Sequence, residues 1–154
     1  MHYLLLFSAT ILFRVPQCNL ILNRGEIVVL KAPDEPNVLY IKRVIGMPGD
    51  SIRFQNDRLY INGRKYKETY LNKGKKLYSM GSLYTENFTL QSKHLGKRVP
   101  RNCYFVMGDH RSVSVDSRSA SVGCVAYEQV VGKLRLRIWP LGSFGALNVR
   151  GQAG

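Results

Sequence analysis

Acidic side chains are scarce in this sequence. Asp and Glu number 10 against 23 Lys and Arg, for a net charge of +13 over 154 residues. No acid precedes Glu26. Such an excess attracts polyanions, either nucleic acid or the anionic leaflet of a membrane. Long apolar runs are also missing. No stretch reaches the roughly 18 residues that a membrane-spanning helix needs. Cysteine is rare: Cys18, Cys103 and Cys124 are odd in number, widely spaced and without a C-x-x-C. Neither a structural zinc site nor a disulfide framework is therefore expected. His2, His94 and His110 share no metal-ligand spacing, and no metal or other cofactor is expected. Walker loops, G-x-G-x-x-G, H-E-x-x-H and G-x-S-x-G are all absent.

Helical periodicity is nearly absent as well, and 14 Gly with 6 Pro call for many turns. A long helical bundle is excluded. At 45% apolar residues the chain can still bury a real core, so it is not a disordered tail.

Residues 1–23 differ in texture from the rest. Tyr3–Phe13 reads YLLLFSATILF and ends at Arg14. Its length suits a buried strand or helix, or part of a longer anchor. From Arg24 the sequence breaks into short β-branched runs. Glu26–Lys31 (EIVVLK) and Val38–Ile45 (VLYIKRVI) read as buried strands, separated by a Pro-rich turn. Ser51–Phe54 and Arg58–Ile61 follow, and Asn62-Gly63 marks a hairpin. Residues 64–100 form a more polar, basic excursion with small strands near Leu83–Leu90. The core resumes at Cys103–Met107 (CYFVM). Val130–Trp139 alternates apolar and basic residues, as a strand with one wet face does. The fold class is mainly β, a folded sheet or barrel core with a small polar β excursion. The matching domain runs over 24–150, and 151–154 is a loose tail.

Two segments carry chemistry. In Tyr40-Ile-Lys-Arg-Val-Ile-Gly-Met-Pro-Gly-Asp50, strand alternation puts Tyr40, Lys42 and Val44 on one face and Ile41, Arg43 and Ile45 on the other. One cation must then lie near apolar neighbours. Burial lowers a lysine's pKa. Bringing it from about 10.4 to about 7 costs roughly 4–5 kcal/mol. A neutral amine can act as a general base; the plainer alternative is a lysine whose head reaches water. The second segment is Gly108-Asp-His-Arg-Ser-Val-Ser-Val-Asp-Ser-Arg118. It can build an ion-pair and hydroxyl network, with Asp116 pairing Arg118 and Asp109 pairing Arg111. Its alternative is a surface turn stabilised by Asp and Ser.

Together these segments resemble the type I signal peptidases, membrane serine proteases that use a Ser–Lys dyad. The resemblance runs from about Arg24 to Leu147. Arg24-Gly-Glu-Ile-Val-Val-Leu resembles the family's RGD-I-V-V strand. Tyr40–Asp50 resembles the box with the general-base lysine, and Gly108–Arg118 resembles the G-D-N-R-x-x-S-x-D-S-R box. Gly123, Gly132-Lys133 and Trp139-Pro140 fit the closing pattern. The resemblance implies that Lys42 takes the nucleophile's proton and that Ser114 orients its amine. Asp116 and Arg118 would form a supporting ion pair with Asp109 and Arg111 nearby. Val29, Tyr40 and Ile41 would line shallow pockets for small side chains before the cut. A serine hydroxyl needs such a base to attack an amide. The implied partners are signal peptides of secreted preproteins and an anionic membrane surface. The implied location is the outer face of a bacterial plasma membrane.

Two departures stand out. His110 occupies a position where the family usually has Asn. The family's S-M-x-P nucleophile box is absent, and Ser8 and Cys18 lie in surroundings that do not match it. The expectation is that residues 1–23 are not the family's native N-terminus and that cleavage by this chain is impaired. A non-catalytic relative acting in assembly or binding is one alternative. A nucleic-acid-binding β-barrel is another, resting on Tyr60, Tyr66, Tyr70 and Tyr78 interleaved with Lys and Arg. The signal-peptidase reading expects no nucleic-acid partner.

Overall fold

The computed structural model describes residues 10–14, 21–33, 35, 37–72, 75–76, 81–137, 145–146 and 152–153. Its strands are β1 (Thr10–Arg14), β2 (Ile27–Lys31), β3 (Leu39–Gly46), β4 (Ile52–Gln55), β5 (Arg58–Ile61) and β6 (Arg64–Lys67). They continue with β7 (Phe88–Thr89), β8 (Cys103–Met107), β9 (Val125–Ala126), β10 (Val130–Arg137), β11 (Gly145–Ala146) and β12 (Gln152–Ala153). Two antiparallel sheets result. The larger runs β1-β10-β2-β3-β8-β9, with β11 also on β10; the smaller runs β12-β6-β5-β4-β7. The mainly β architecture read from the sequence is the one observed.

The larger sheet is covered on both faces at β8, which explains that strand's unbroken apolar run. In β8, Phe105 and Met107 join a cluster with Ile45, Ile52, Phe54, Leu59, Ile61 and Phe88, which cements the two sheets together. Tyr104 and Val106 point the other way and pack with Val28, Leu30, Val44, Val122 and Val130. All five β8 residues are consequently buried. Strands buried on both faces lose the alternation of a half-wet sheet.

Turn chemistry sets the register of the smaller sheet. Asn62 and Gly63 both adopt positive φ, 51° and 79°, and join β5 to β6. Two positive φ values make the twist of the turn match that of its flanking strands. Asn56 and Asp57 do the same between β4 and β5, at 49° and 58°. Of the strands expected near Leu83–Leu90, Phe88–Thr89 forms one. Gln152 and Ala153, expected in a loose tail, pair with Lys67 and Tyr66.

Two expectations are corrected. Cys103 and Cys124 form a disulfide with Cα atoms 5.9 Å apart. The β8–β9 pairing sets Cys103 opposite Ala126, which brings Cys124 alongside. That proximity is a tertiary fact that an odd cysteine count conceals. The bond closes a loop containing the whole Gly108–Arg118 segment. Lys133, expected on a wet face of β10, is instead buried and paired with Glu26 at 2.9 Å. Tyr3–Ala9, Trp139-Pro140 and Tyr78 lie outside the described residues. No helix among the described residues is long and apolar enough to cross a membrane.

Candidate active site

Lys42 lies in the middle of β3. Its cross-strand partner is Val28, and Tyr40 and Val44 flank it along the same face. Val28 and Val44 are fully buried. This apolar setting arises from the period-2 geometry of two neighbouring strands. The amine Nζ lies 3.0 Å from Ser114 Oγ and 5.0 Å from the centre of the Tyr40 ring. Burial is the largest influence on its pKa and lowers it. Asp116 raises it, Arg118 lowers it further, and the net direction is down.

The loop after β8 delivers Ser114. Its N–H donates to the His110 carbonyl at 3.1 Å, so residues 110–114 form a tight turn. Gly108 provides the surface beneath it. A Cβ on Gly108 would lie 2.1 Å from Ser114 Oγ and 3.8 Å from Lys42 Nζ. Only a residue without a side chain permits that approach. Asp116 is fully buried and accepts hydrogen bonds from the Gly108 N–H at 3.0 Å and from Arg118 Nε at 2.8 Å. Burial pushes its carboxyl upward, but the bonds and charge of Arg118 and two backbone N–H groups outweigh that. The carboxyl is held below its ordinary value. Arg118 also donates to the Arg111 carbonyl at 2.7 Å. The expected Asp116–Arg118 pair is formed.

The expected Asp109–Arg111 pair is not. Asp109 receives a two-pronged contact from Arg43, at 2.8 Å and 2.6 Å. Arg111 is buried to 1% exposure and turns the other way, to Glu68 of the smaller sheet's segment. Asp109 and Arg111 point apart, and each finds a partner from another element. Sequence reading noticed Arg43 but gave it no role. It missed Glu68 entirely, because a Glu in a basic polar stretch carries no local signal.

The proposed pocket residues divide between two faces. Val29 and Ile41 are a cross-strand pair, with Val29 buried and Ile41 at 38% exposure. Tyr40 stands on the opposite face with Lys42. A cavity of about 680 Å³ opens beside Ser114 and Arg118, walled by Tyr84, Glu86 and Ser119 among others. Ser8 and Cys18 lie outside the described residues. Among the described residues no cluster of His, Cys, Asp and Glu is arranged to hold a metal ion.

The site thus joins a half-buried lysine amine to a loop serine, braced by an ion pair two residues on. The family profile described as "Signal peptidase, peptidase S26" matches residues 14–139. The chain belongs to the S26 signal peptidase family. Signal peptidase I of Bacillus caldolyticus is 44% identical over 123 residues, covering 80% of this chain and 65% of that protein. Signal peptidase IB of Staphylococcus aureus (strain Mu50) is 39% identical over 127 residues, covering 80% and 64%. The chain thus spans just under two thirds of the length of these family members. The crystal structure of a signal peptidase I from Enterococcus faecalis V583 superposes with a TM-score of 0.69 at 36% identity. That match covers 75% of this chain and 97% of the other. S26 membership and the two-sheet fold therefore agree.

Proposed function

We propose that this chain carries the catalytic domain of a signal peptidase I-type serine endopeptidase, which removes N-terminal signal peptides from secreted preproteins. The observation that carries the reading is the 3.0 Å contact between Lys42 Nζ and Ser114 Oγ on a strand whose apolar face lowers the amine's pKa. A neutral amine accepts the proton of a serine hydroxyl as that oxygen attacks the peptide carbonyl. It then returns the proton to the leaving amine. Ser114 holds the amine in place, and the Asp116–Arg118 pair holds Ser114's loop. Of the expected pocket residues, Tyr40 shares the Lys42 face and receives the residues before the cut. The reading assigns the attacking hydroxyl to no described residue. The positive surface suits an anionic membrane, and the catalytic domain belongs on the outer face of a bacterial plasma membrane.

The test is cleavage of a preprotein by the full chain presented with anionic lipid vesicles. Slow, impaired release of the mature protein is expected, with a further loss of about 10²–10⁴-fold in Lys42→Ala. Absence of cleavage by the wild-type chain overturns the reading in favour of a non-catalytic family relative. Cleavage that persists in Lys42→Ala overturns the assigned base.

A further inference from the structure

Arg111 and Glu68 form a buried ion pair that joins the two sheets, 43 residues apart in sequence. Glu68 follows β6 and is 4% exposed at its side chain. Its Oε1 accepts from Arg111 Nη2 and from the Tyr70 hydroxyl, the latter at 3.0 Å. Its Oε2 is buried with no hydrogen-bond partner among the described residues. Burying a carboxylate is costly, and leaving half of it unsatisfied is costlier. Stability alone is a poor account of such a pair.

The remaining contacts of Arg111 converge on the site. Its Nε donates to the Gly108 carbonyl at 3.0 Å, and Nη1 reaches Thr85 Oγ1 at 3.3 Å. Its own carbonyl accepts from Arg118, which also lies 3.4 Å from the Ser114 carbonyl. Gly108 is therefore held on both sides. Asp116 takes its N–H, and Arg111, aimed by Glu68, takes its carbonyl. Ser114 Oγ rests on the Gly108 Cα, and Lys42 rests on Ser114.

We propose that Glu68 is a positioning residue for the Lys42–Ser114 pair, acting through Arg111 and Gly108 so that the smaller sheet fixes the catalytic loop. The functional meaning rests on the peptidase reading, whereas the mechanical coupling does not. The charged and titratable groups around Lys42 are Asp116 and Arg118 from the loop, with the Tyr40 ring on its own strand. Those around Glu68 are Arg111 and Tyr70. Beyond Tyr70 stand Arg43, 4.0 Å from its ring centre, and Asp109, Arg43's partner.

The experiment labels lysine with ¹³C at Cε and follows each titration by NMR, with Lys42→Ala assigning the Lys42 signal. It uses the full chain and three variants: Glu68→Gln, Glu68→Asp and the double variant Glu68→Met with Arg111→Met. When Gly108 and Ser114 loosen, water reaches the amine. The Lys42 midpoint is then expected to rise toward the exposed lysines by about one pH unit in Glu68→Gln and the double variant. Glu68→Asp, which keeps the charge, should shift it less. The double variant removes both charges together and so keeps a foldable core where Glu68→Gln strands Arg111. Where the wild type cleaves preprotein, kcat at neutral pH should fall about tenfold with KM little changed. An unchanged Lys42 midpoint in a folded variant overturns the proposal, because a purely structural pair alters stability only. Failure of the wild type to cleave, with the midpoint still shifted, overturns the peptidase reading and leaves the coupling standing.

Discussion

Lys42 and Arg43 are adjacent cations on one strand, and the fold treats them in opposite ways. Arg43 is saturated. It takes Asp109 with two bonds, donates to the Gly25 carbonyl at 2.7 Å, and lies over Tyr70. Lys42 receives a hydroxyl, an aromatic ring and apolar walls, and among the described residues no carboxylate comes within ion-pair distance of it. The difference fits the role of base proposed for Lys42. A guanidinium keeps its charge throughout, so a fold can use it to tie strand to loop. An amine that must give up and regain a proton has to be kept away from a carboxylate that would fix its charge. Strand alternation makes both environments available to consecutive residues.

Making the two cations alike should have the largest effect. Lys42→Arg keeps a positive donor near Ser114 but cannot deprotonate. Cleavage of a preprotein should fall by about 10²–10⁴-fold, and thermal unfolding should show the chain still folded. Retained activity would show that position 42 needs charge rather than a base.

Asp116 acts on Lys42 from a distance while bonding Arg118 directly, so it sharpens the contrast between fixed and movable charge. Its carboxyl is lower in the folded state than in the unfolded chain. Its contribution to stability is thus present above the unfolded value near about 4 and lost as pH falls further. Asp116→Asn should cost about 3 kcal/mol at neutral pH by leaving Arg118 unpaired. In denaturant titrations the gap to wild type should close toward about pH 2.

The smallest effect is the most diagnostic for stability. Arg43→Met should destabilise the fold by about 2 kcal/mol, through the lost bonds to Asp109 and Gly25. Lys42→Met should do the opposite. A folded-state amine pKa below the unfolded value contributes stability only at high pH, and that stability is lost as pH falls. At neutral pH the charge is a burden, so its removal should stabilise the fold slightly. Paired melts of the two variants at one pH decide this.

Local chemistry explains which features were legible in the sequence. The Asn62-Gly63 turn, the runs around Val28, Val44 and Val106, and the placement of Lys42 on an apolar face all follow from periods of two and from turn residues. The Asp116–Arg118 pair was legible because its members are two residues apart in one loop. Glu68 was not, since its partner lies 43 residues away and only sheet packing joins them. The Cys103–Cys124 bond and the buried Lys133–Glu26 pair were hidden for the same reason. Asp109 and Arg111 are neighbours in sequence but not in pairing, since their partners Arg43 and Glu68 come from other elements.

The most direct test of the contrast between the two cations is competitive acylation of the lysines across pH, read residue by residue by mass spectrometry. Lys42 is expected to become reactive at a lower pH than the exposed lysines, and Ser114→Ala to change its reactivity while theirs stays constant. A Lys42 that titrates with the surface lysines or above them would contradict that contrast.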